Sequence, residues 1–495
     1  MKSAMELEDA EQAYYSQWLR LGYDDQPPLY TWLQVAINKV LGVSKVSFAL
    51  LRAVIFSTIL LLFHQFAKQL YTNRAKALSV VLALVLIPTF IDFTFRRLSH
   101  TALLCLVVVA TYYCIHKLIK NKSSLNYMLL GLAIGVGVLT KYNYALVLTA
   151  LVTALVFDDE LRKVFFNIRI LWVLLVAGVL LTPHLLWLFG DAGFVEELQT
   201  SVATKTETSS KGIPVVSPML SFLLTFIKLF LPLVVIGLGL FVKKKLNIKR
   251  VEASQNWIQN VCYAQLIVLI LVFIVMDVQK IEARWLLPLC IPFLVLLPNY
   301  LDTTDLKKWN SVGFFLFLFC IFFQVVRTPI EKALKIPSSV HYGFEKVSEK
   351  LQTDYATKQW FLPDVTYAGN IRLLNQDREV FALDDFSLHV NELNKAEGVF
   401  IVKDKNNKPE LGILKDSILD FGKDKEIYLN EHLYKTVSID YQLPVSVLCC
   451  EWQGAIEYST NGLPSFSEFI VEDLSCYIVR IPQVRSRPFF SFLCS

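Results

Sequence analysis

The strongest constraint on this chain is a series of apolar blocks between Ala49 and Val326. Most blocks are about 17–25 residues long, the length that a helix needs to cross a ~30 Å hydrocarbon core. The composition agrees, because 54% of the residues are hydrophobic and only 18% are charged, whereas a soluble domain is about 25% charged. These proportions exclude an ordinary soluble globular protein.

The predicted fold class is therefore a polytopic α-helical membrane protein with about ten transmembrane helices. The blocks at 126–139 and 142–157 are short for a span. The chain shows no heptads, low-complexity runs or clear internal repeats. The predicted spans are residues 49–70, 77–93, 100–119, 126–139, 142–157, 168–189, 219–242, 258–276, 284–300 and 310–327.

Lysine and arginine in the loops between these spans predict the orientation, because loops rich in these residues tend to stay in the cytoplasm. One set of alternate loops holds sixteen of them and the other set holds seven. We expect the richer set to face the cytoplasm, which places residues 1–48 and 328–495 outside it. The seven outer residues are Arg96, Arg97, Lys141, Lys205, Lys211, Lys280 and Arg284.

Three segments follow from this topology: a first outer loop at 1–48, a transmembrane domain at 49–327 and an outer soluble domain at 328–495. The first segment contains no spanning stretch, and a polar N-terminus of this length rarely crosses a membrane unaided. We therefore expect that a preceding helix is missing, with direct translocation of the N-terminus as the alternative. Strand-like runs such as Gly398–Val402, separated by Gly and Asn turn signals, predict a small α/β domain at the C-terminus.

Charged and titratable residues of unusual placement concentrate on the predicted outer side. Such residues close to a membrane cost free energy unless they pair with one another or take part in function. The set includes both acids and bases: Glu8, Asp9, Glu11, Asp24, Asp25, Arg96, Arg97, His100, Lys141, Lys280, Glu282 and Arg284.

This combination suits the transfer of a sugar from a polyprenyl phosphate. Such a donor presents its anomeric carbon just above the bilayer with a phosphate as the leaving group, and Lys or Arg can stabilise that anion. An acceptor hydroxyl or amine needs a carboxylate to take its proton as it attacks. One carboxylate and two or three cations at the outer interface therefore form a minimal inverting transferase site.

Each of these residues also has an ordinary structural explanation. Lys141 ends a span and could extend its ammonium to the interface, Arg284 precedes a tryptophan as in an interfacial aromatic belt, and His100 could cap a helix. The spacing of Gly131 and Gly135 predicts close helix packing rather than a phosphate cradle. No CxxC pair or His/Cys cluster has metal-ligand spacing, so no metal site or other cofactor is predicted, and dependence on a divalent metal stays open.

Several segments taken in order resemble a known family. An acidic pair at Glu8–Asp9 precedes a Tyr-rich stretch, which is followed by GYDDQPPLYTWLQ, LTKYN and a late RWLLP. Over roughly residues 5 to 300 this order resembles the glycosyltransferase 39 family of the GT-C superfamily, which includes protein O-mannosyltransferases and bacterial lipid A aminoarabinose transferases. The fragment AGNIRLLNQDREVFALDD is similar to the outer domain of bacterial members.

The resemblance implies a GT-C-like fold with a helix ahead of the acidic motif, and it implies roles by position. The acidic motif supplies the catalytic base, but the usual order of Asp then Glu is reversed here, so either acid could serve. Gln26 stands where a lysine often precedes the Pro-Pro pair, and His100 stands near the place of a second acid. The predicted catalytic residues are Glu8 and Asp9, the predicted donor phosphate-binding residues are Lys141, Arg284, Arg97 and Lys280, and the predicted substrate-binding residues are Gln26, Tyr142 and His100.

The sequence thus predicts an inverting glycosyltransferase that uses undecaprenyl phosphate-linked sugar on the outer face of a bacterial inner membrane, with a lipid, glycan or protein acceptor and no nucleic acid partner. One alternative is an inactive paralogue with a structural role, which the expected missing helix and the His100 departure favour. The other is a transporter or flippase for a lipid-linked substrate. A transporter should carry ionisable residues at mid-membrane depth, and Lys228 is the one clear example in the sequence.

Overall fold

A computed structural model describes most of the chain, and two of the predicted cations, Arg97 and Lys280, lie outside the described residues. The contacts within the chain define two compact units. We call Tyr15–Val325 the membrane unit, and Met1–Tyr14 together with Val326–Pro488 the terminal unit. The described residues are 4–92, 94–95, 99–190, 194–196, 198–201, 216–242, 253–276, 278, 281–300, 303–334, 344–357, 359–388, 398–402, 418–421, 426–429 and 432–438.

Helices make up most of the described chain. Short 3₁₀ turns at Ala253–Gln255, Pro288–Cys290 and Leu297–Tyr300 connect some of them. In chain order the α-helices are α1 (Leu7–Tyr15), α2 (Leu29–Leu41), α3 (Lys45–Leu70), α4 (Arg74–Val85), α5 (Pro88–Asp92), α6 (Ser99–Lys120), α7 (Ser124–Thr140), α8 (Tyr144–Ala154), α9 (Asp159–Phe165), α10 (Ile170–Leu188), α11 (Val216–Val242), α12 (Asn256–Val275), α13 (Ala283–Leu286), α14 (Ile291–Leu296), α15 (Thr303–Ala333), α16 (Phe344–Asp354) and α17 (Val365–Leu374).

The predicted fold class is confirmed, because a helix or a broken helix occupies every predicted span. Within the described residues, six helices are long and apolar enough to cross a membrane: Lys45–Leu70, His100–Lys120, Ile170–Leu188, Ser217–Ile236, Asn256–Val275 and Leu306–Glu331. The chain is thus a multi-pass membrane protein.

Two predicted spans differ from the expectation of one continuous helix. The 77–93 span ends its first helix at Val85 and resumes at Pro88. The 284–300 span is divided into α13, α14 and two 3₁₀ turns. Prolines explain both breaks, since a proline has no N–H to donate and its ring collides with the preceding turn.

Two glycines allow α7 and α10 to pack closely. A Cβ atom added at Gly131 would lie 2.8 Å from the carbonyl oxygen of Val173, and one added at Gly135 would lie 2.9 Å from a Leu180 methyl carbon. Small residues at this spacing let two helix backbones approach. The predicted packing role of the GxxxG spacing is confirmed, and it fixes α10 beside the end of α7.

The terminal unit contains helices α1, α16 and α17 and a six-stranded sheet in the order β2-β1-β3-β6-β5-β4. The four strands from β2 to β6 pair in parallel, whereas β6, β5 and β4 pair antiparallel. The strands are β1 (Gln359–Leu362), β2 (Val380–Ala382), β3 (Gly398–Val402), β4 (Ile418–Phe421), β5 (Glu426–Leu429) and β6 (His432–Ser438).

Candidate active site

Lys141 occupies the turn between α7 and α8. Helix α7 ends at Thr140, and Lys141 has extended backbone while its amide donates to the carbonyl of Gly137 at 3.2 Å. The side chain is only 6% exposed, and its Nζ donates to Oγ1 of Thr101 at 3.3 Å. Burial of an ammonium is costly unless hydrogen-bond acceptors or anions surround it. The turn therefore places a buried cation, rather than one extended to the interface, at the end of a short membrane helix.

His100 lies beside this lysine and packs against the first loop. Its Nδ1 is 3.2 Å from the carbonyl oxygen of Thr140, and its ring centroid is 5.1 Å from that of Tyr30. Because a carbonyl oxygen only accepts, Nδ1 must carry the hydrogen of this bond. The histidine thus connects α2, α6 and the end of α7, and it fixes the peptide that precedes Lys141.

A second buried histidine, His184 on α10, holds the other side of the same turn. Its Nδ1 donates to the carbonyl oxygen of Leu21 at 2.6 Å, and its Nε2 lies 3.3 Å from the Tyr142 hydroxyl. With the hydrogen on Nδ1, the neutral ring accepts at Nε2 from that hydroxyl. His184 is not among the site residues predicted from the sequence, although it is an ionisable residue within an apolar span, a placement that often marks a functional site.

The loop from Arg20 to Gln26 is compact and internally bonded. Tyr23 and Gln26 exchange two backbone hydrogen bonds, and the Tyr23 hydroxyl donates to the carbonyl of Trp18 at 2.6 Å. Burial raises the pKa of Tyr23 to about 12. The predicted substrate residue Gln26 donates its amide to the Asp25 carboxylate at 2.9 Å, so its side chain orients a neighbouring acid.

Asp24 in this loop has a left-handed backbone, with φ of 42°. A residue with a Cβ pays roughly 1–2 kcal/mol for that conformation. The Tyr15 hydroxyl donates to its carboxylate at 3.1 Å, which helps to keep the strained turn in place. Strained, well-supported turns are concentrated at functional sites. The sequence singled out Asp24 as an acid but did not predict its left-handed backbone.

Arg284 forms an ion pair with Glu282 at the beginning of α13. The preceding peptide, Ile281, is held on both sides by α11, because its N–H donates to Oγ of Ser221 at 3.1 Å and its carbonyl accepts from Oγ1 of Thr225 at 3.0 Å. Both charged side chains are about one third exposed. The guanidinium is thus fixed in direction and accessible to an anion. Trp285 next to it is buried in the hydrophobic core.

The two predicted acids lie in the first turn of α1. Asp9 is 9% exposed and Glu8 is half-buried. Carboxylates at a helix N-terminus are stabilised by the helix dipole. Both belong to the terminal unit, whereas Lys141 and Arg284 belong to the membrane unit. Their predicted meeting on one substrate therefore stays a prediction.

The structure brings together part of the predicted site. Lys141, His100 and Tyr142 form one buried cluster around the turn between α7 and α8, and the loop that carries Gln26 is joined to this cluster through His184. The cluster contains a cation, two imidazoles and several hydroxyls. It can bind an anionic group and orient hydroxyl groups near it. The residues of this cluster that the prediction lacked are Tyr30, Thr101 and His184.

Several of the predicted site residues lie in a region of the chain that matches a known protein family. Residues 25–187 match the family described as dolichyl-phosphate-mannose-protein mannosyltransferase, and this range includes Gln26, His100, Lys141 and Tyr142. Two lipopolysaccharide core galacturonosyltransferases of Rhizobium johnstonii are also similar. RgtA is 27% identical over 380 residues, which cover 76% of this chain and 72% of RgtA. RgtB is 28% identical over 300 residues, which cover 60% of this chain and 60% of RgtB.

Solved structures share the fold. The structure of ArnT from Cupriavidus metallidurans bound to undecaprenyl phosphate matches with a TM-score of 0.52 and 14% identity, and the match covers 77% of this chain and 82% of that one. The apo structure of the same protein matches with a TM-score of 0.50, also at 14% identity, and covers 78% of this chain and 86% of that one. At this level of identity the likeness concerns the fold alone.

Proposed function

We propose that this chain, a glycosyltransferase with the GT-C membrane fold, transfers a sugar from an undecaprenyl phosphate donor to a glycolipid on the outer face of a bacterial inner membrane. In this proposal residues 49–327 span the membrane, and residues 1–48 and 328–495 lie on the periplasmic side. The names of the relatives support the donor and acceptor classes. ArnT was solved with undecaprenyl phosphate, and RgtA and RgtB act on the lipopolysaccharide core.

The observation that carries the proposal is the buried Lys141 ammonium next to Thr101. A lysine at the end of a membrane helix normally extends its charge toward water. Here His100 bonds the carbonyl of Thr140 and so holds the backbone of the turn. This backbone keeps the charge inside the protein. A phosphate monoester or diester is the anion that a polyprenyl carrier supplies at this depth, and a compact ammonium binds it as a point charge.

The proposed reaction is a single displacement. The acceptor oxygen attacks the anomeric carbon while the bond from that carbon to the phosphate oxygen breaks, and the electron pair leaves with undecaprenyl phosphate. Glu8 or Asp9 takes the proton of the acceptor hydroxyl. Lys141 and Arg284, with Arg97 and Lys280 as further cations, stabilise the charge of the departing phosphate. Inversion at the anomeric carbon follows from one displacement.

The substrate-orienting roles go to Gln26, Tyr142 and His100. Gln26 contacts Asp25, and Tyr142 contacts His184, so each has a fixed orientation from a neighbour. Fixed hydroxyl, amide and imidazole groups can bind sugar hydroxyls with directional hydrogen bonds. We propose that this loop and turn recognise the donor sugar.

Binding of the carrier lipid tests the proposal. The purified protein in nanodiscs should bind undecaprenyl phosphate, and Lys141→Ala should weaken that binding by about tenfold or more, the loss of one charge-assisted contact of 1.5–3 kcal/mol. Lys163→Ala is the matched control, since this lysine is exposed on α9 and pairs with Glu160. Equal affinity of the wild type and Lys141→Ala would remove the phosphate role.

A second measurement concerns the product. Mass spectrometry of envelope glycolipids from cells with and without the gene should show one species that lacks a single sugar when the gene is deleted. The Lys141→Ala gene should not restore that species, and the Lys163→Ala gene should. Unchanged glycolipids with a changed set of glycoproteins would move the acceptor class to protein.

A further inference from the structure

Helix α1, which carries the two acids, is attached to the C-terminal part of the terminal unit at three places. The first is just before the helix. The backbone N–H of Met5 donates to Oδ1 of Asn370 at 2.7 Å, and the Asn370 amide donates back to the Met5 carbonyl at 3.4 Å. Both residues are buried. The Asn370 side chain is itself fixed by donation to the carbonyl of Thr366 at 2.9 Å.

The second place is the middle of the helix, where backbone meets backbone. A Cβ atom added at Gly369 would lie 1.8 Å from the carbonyl oxygen of Ala10 and 2.7 Å from its Cα. Ala10 is completely buried. Any residue larger than glycine at position 369 must therefore displace α1, because the atoms that it would meet belong to the main chain.

The third place is the last turn of the helix. The Tyr14 hydroxyl donates to Oδ2 of Asp385 at 2.8 Å and accepts from the backbone N–H of Ala382 at 3.1 Å. The other carboxylate oxygen of Asp385 accepts from the N–H and the hydroxyl of Ser387. Tyr14 and Asp385 are fully buried. A hydroxyl that bonds both a carboxylate and a backbone N–H in a buried place is held in one position, so this contact fixes the end of α1.

These three contacts fix the rotation of α1 about its own axis. Ala10, Ala13 and Tyr14 are completely buried, Asp9, Gln12 and Tyr15 are nearly so, and Glu8 and Glu11 are half-buried residues of the helix. Glu8 is two residues from Ala10, or about 200° around the helix, and its side chain is half-buried. The face that meets residues 369–385 is thus opposite to the face that carries Glu8, and a turn of the helix would redirect the carboxylate.

We infer that Asn370, Gly369 and Asp385 are positioning residues for the acid on α1. The inference rests on the proposed function, because it takes Glu8 or Asp9 as the base. It gives the C-terminal part of the terminal unit a role in the chemical step, in addition to any contact with the acceptor. A misplacement of about 1 Å can cost about 10²-fold in rate, so contacts that hold a helix in one rotation affect turnover directly.

Two asparagines on or beside the same helix provide a matched test. Asn370→Ala removes the contact with Met5, whereas Asn375→Ala removes another buried side chain, whose hydrogen bonds go to Ser348, Gln352 and Ile371. Tyr14→Phe is a second variant that removes one hydroxyl and leaves residues 344–388 unchanged. Each full-length variant is measured for hydrogen exchange of residues 4–15, for undecaprenyl phosphate affinity, and for glycolipid product in a deletion strain per inserted protein.

We expect Asn370→Ala and Tyr14→Phe to speed exchange of residues 4–15, to leave the lipid affinity within about twofold, and to lower the product by about tenfold or more. Asn375→Ala should match the wild type in all three. Full product despite faster exchange would overturn the inference, and so would an equal loss in Asn375→Ala. The double variant Glu8→Gln/Asp9→Asn separates the two hypotheses. If this double variant keeps full product, the proposed base is wrong. If the double variant loses product while Asn370→Ala and Tyr14→Phe keep it, the positioning role alone fails.

Discussion

The Tyr142 hydroxyl lies 3.3 Å from Nε2 of His184, and the opposite nitrogen of that ring bonds the carbonyl of Leu21. One imidazole therefore connects the loop that contains GYDDQPP with the turn that contains LTKYN. These segments are about 120 residues apart along the chain. This connection holds Tyr142, the residue next to Lys141, in a fixed position relative to the loop that contains Gln26.

Substitution of His184 should loosen that connection. His184→Phe keeps the aromatic volume but leaves the Leu21 carbonyl and the Tyr142 hydroxyl without this partner, and each such buried group costs about 1–3 kcal/mol. We expect a lower melting temperature in nanodiscs and a weaker affinity for the donor. His184→Asn, whose amide can still donate to Leu21, should recover part of the stability. Tyr142→Phe should lose less, since the bond between His184 and the Leu21 carbonyl stays in place, and a larger loss in Tyr142→Phe than in His184→Phe would contradict this account.

Gly22 should tolerate no side chain. A Cβ atom there would lie 1.9 Å from the Trp187 ring, which itself stacks on His184 at 5.7 Å between centroids. Gly22→Ala must displace the loop or the indole, and overpacking of this kind costs about 1–3 kcal/mol. Thermal unfolding and product formation should both decline.

The control for Gly22 lies on the same helix as Trp187. A Cβ atom added at Gly178 meets nothing within 4 Å, so Gly178→Ala should be neutral or should stabilise α10 by up to about 1 kcal/mol, the helix preference of alanine over glycine. Combining Gly22→Ala with Trp187→Ala should restore part of the loss. Equal effects of the two single substitutions would argue against a steric cause.

The raised pKa of Tyr23 predicts a loss of stability at high pH. Burial favours the neutral phenol and moves its pKa from 10.0 to about 12. Above pH 10 the unfolded chain releases this proton and the folded chain keeps it, so stability declines from about pH 10 to pH 12, by up to about 3 kcal/mol. Tyr23→Phe should have a shallower decline over this range, measured by unfolding at a series of pH values. Parallel curves for the two proteins would show that Tyr23 does not titrate as described.

Hydropathy predicted the membrane helices because helix length is set by bilayer thickness, a property that each block of sequence carries alone. Charge placement singled out Lys141 and His100 in the same way, since each is a polar residue at the end of an apolar run, and their roles in binding stay a prediction. The prolines in the 284–300 span are visible in the sequence and could have predicted that its helix is broken. All of these predictions depend on local information.

The features that the sequence did not predict depend on partners far away in the chain. Tyr14 contacts Asp385 across 371 positions, and no periodicity in either segment indicates that pairing. The partner of His184 is a main-chain carbonyl, which has no residue-specific signal. The positive φ of Asp24 is similarly hidden, because aspartate is compatible with several turn geometries.

The ion pair between Glu282 and Arg284 allows a test of whether a cation outside the Lys141 cluster binds the donor phosphate. The carboxylate of Glu282 now shares the guanidinium that is proposed to bind the donor phosphate, so phosphate must compete with it. Glu282→Gln keeps the size of the side chain and removes the competing charge. We therefore expect tighter binding of undecaprenyl phosphate, by up to about fivefold, as a partly exposed ion pair contributes 0.2–1 kcal/mol.

Arg284→Ala should have the opposite effect, and Arg284→Lys should fall between it and the wild type, because a lysine keeps the charge without the two-pronged geometry of a guanidinium. Both effects should shrink at high salt, since both side chains are partly exposed. The measurement is lipid affinity in nanodiscs at low and high ionic strength. If Glu282→Gln weakens binding as much as Arg284→Ala does, the pair acts as one structural unit that holds α13, and the phosphate contact belongs to Lys141 without Arg284.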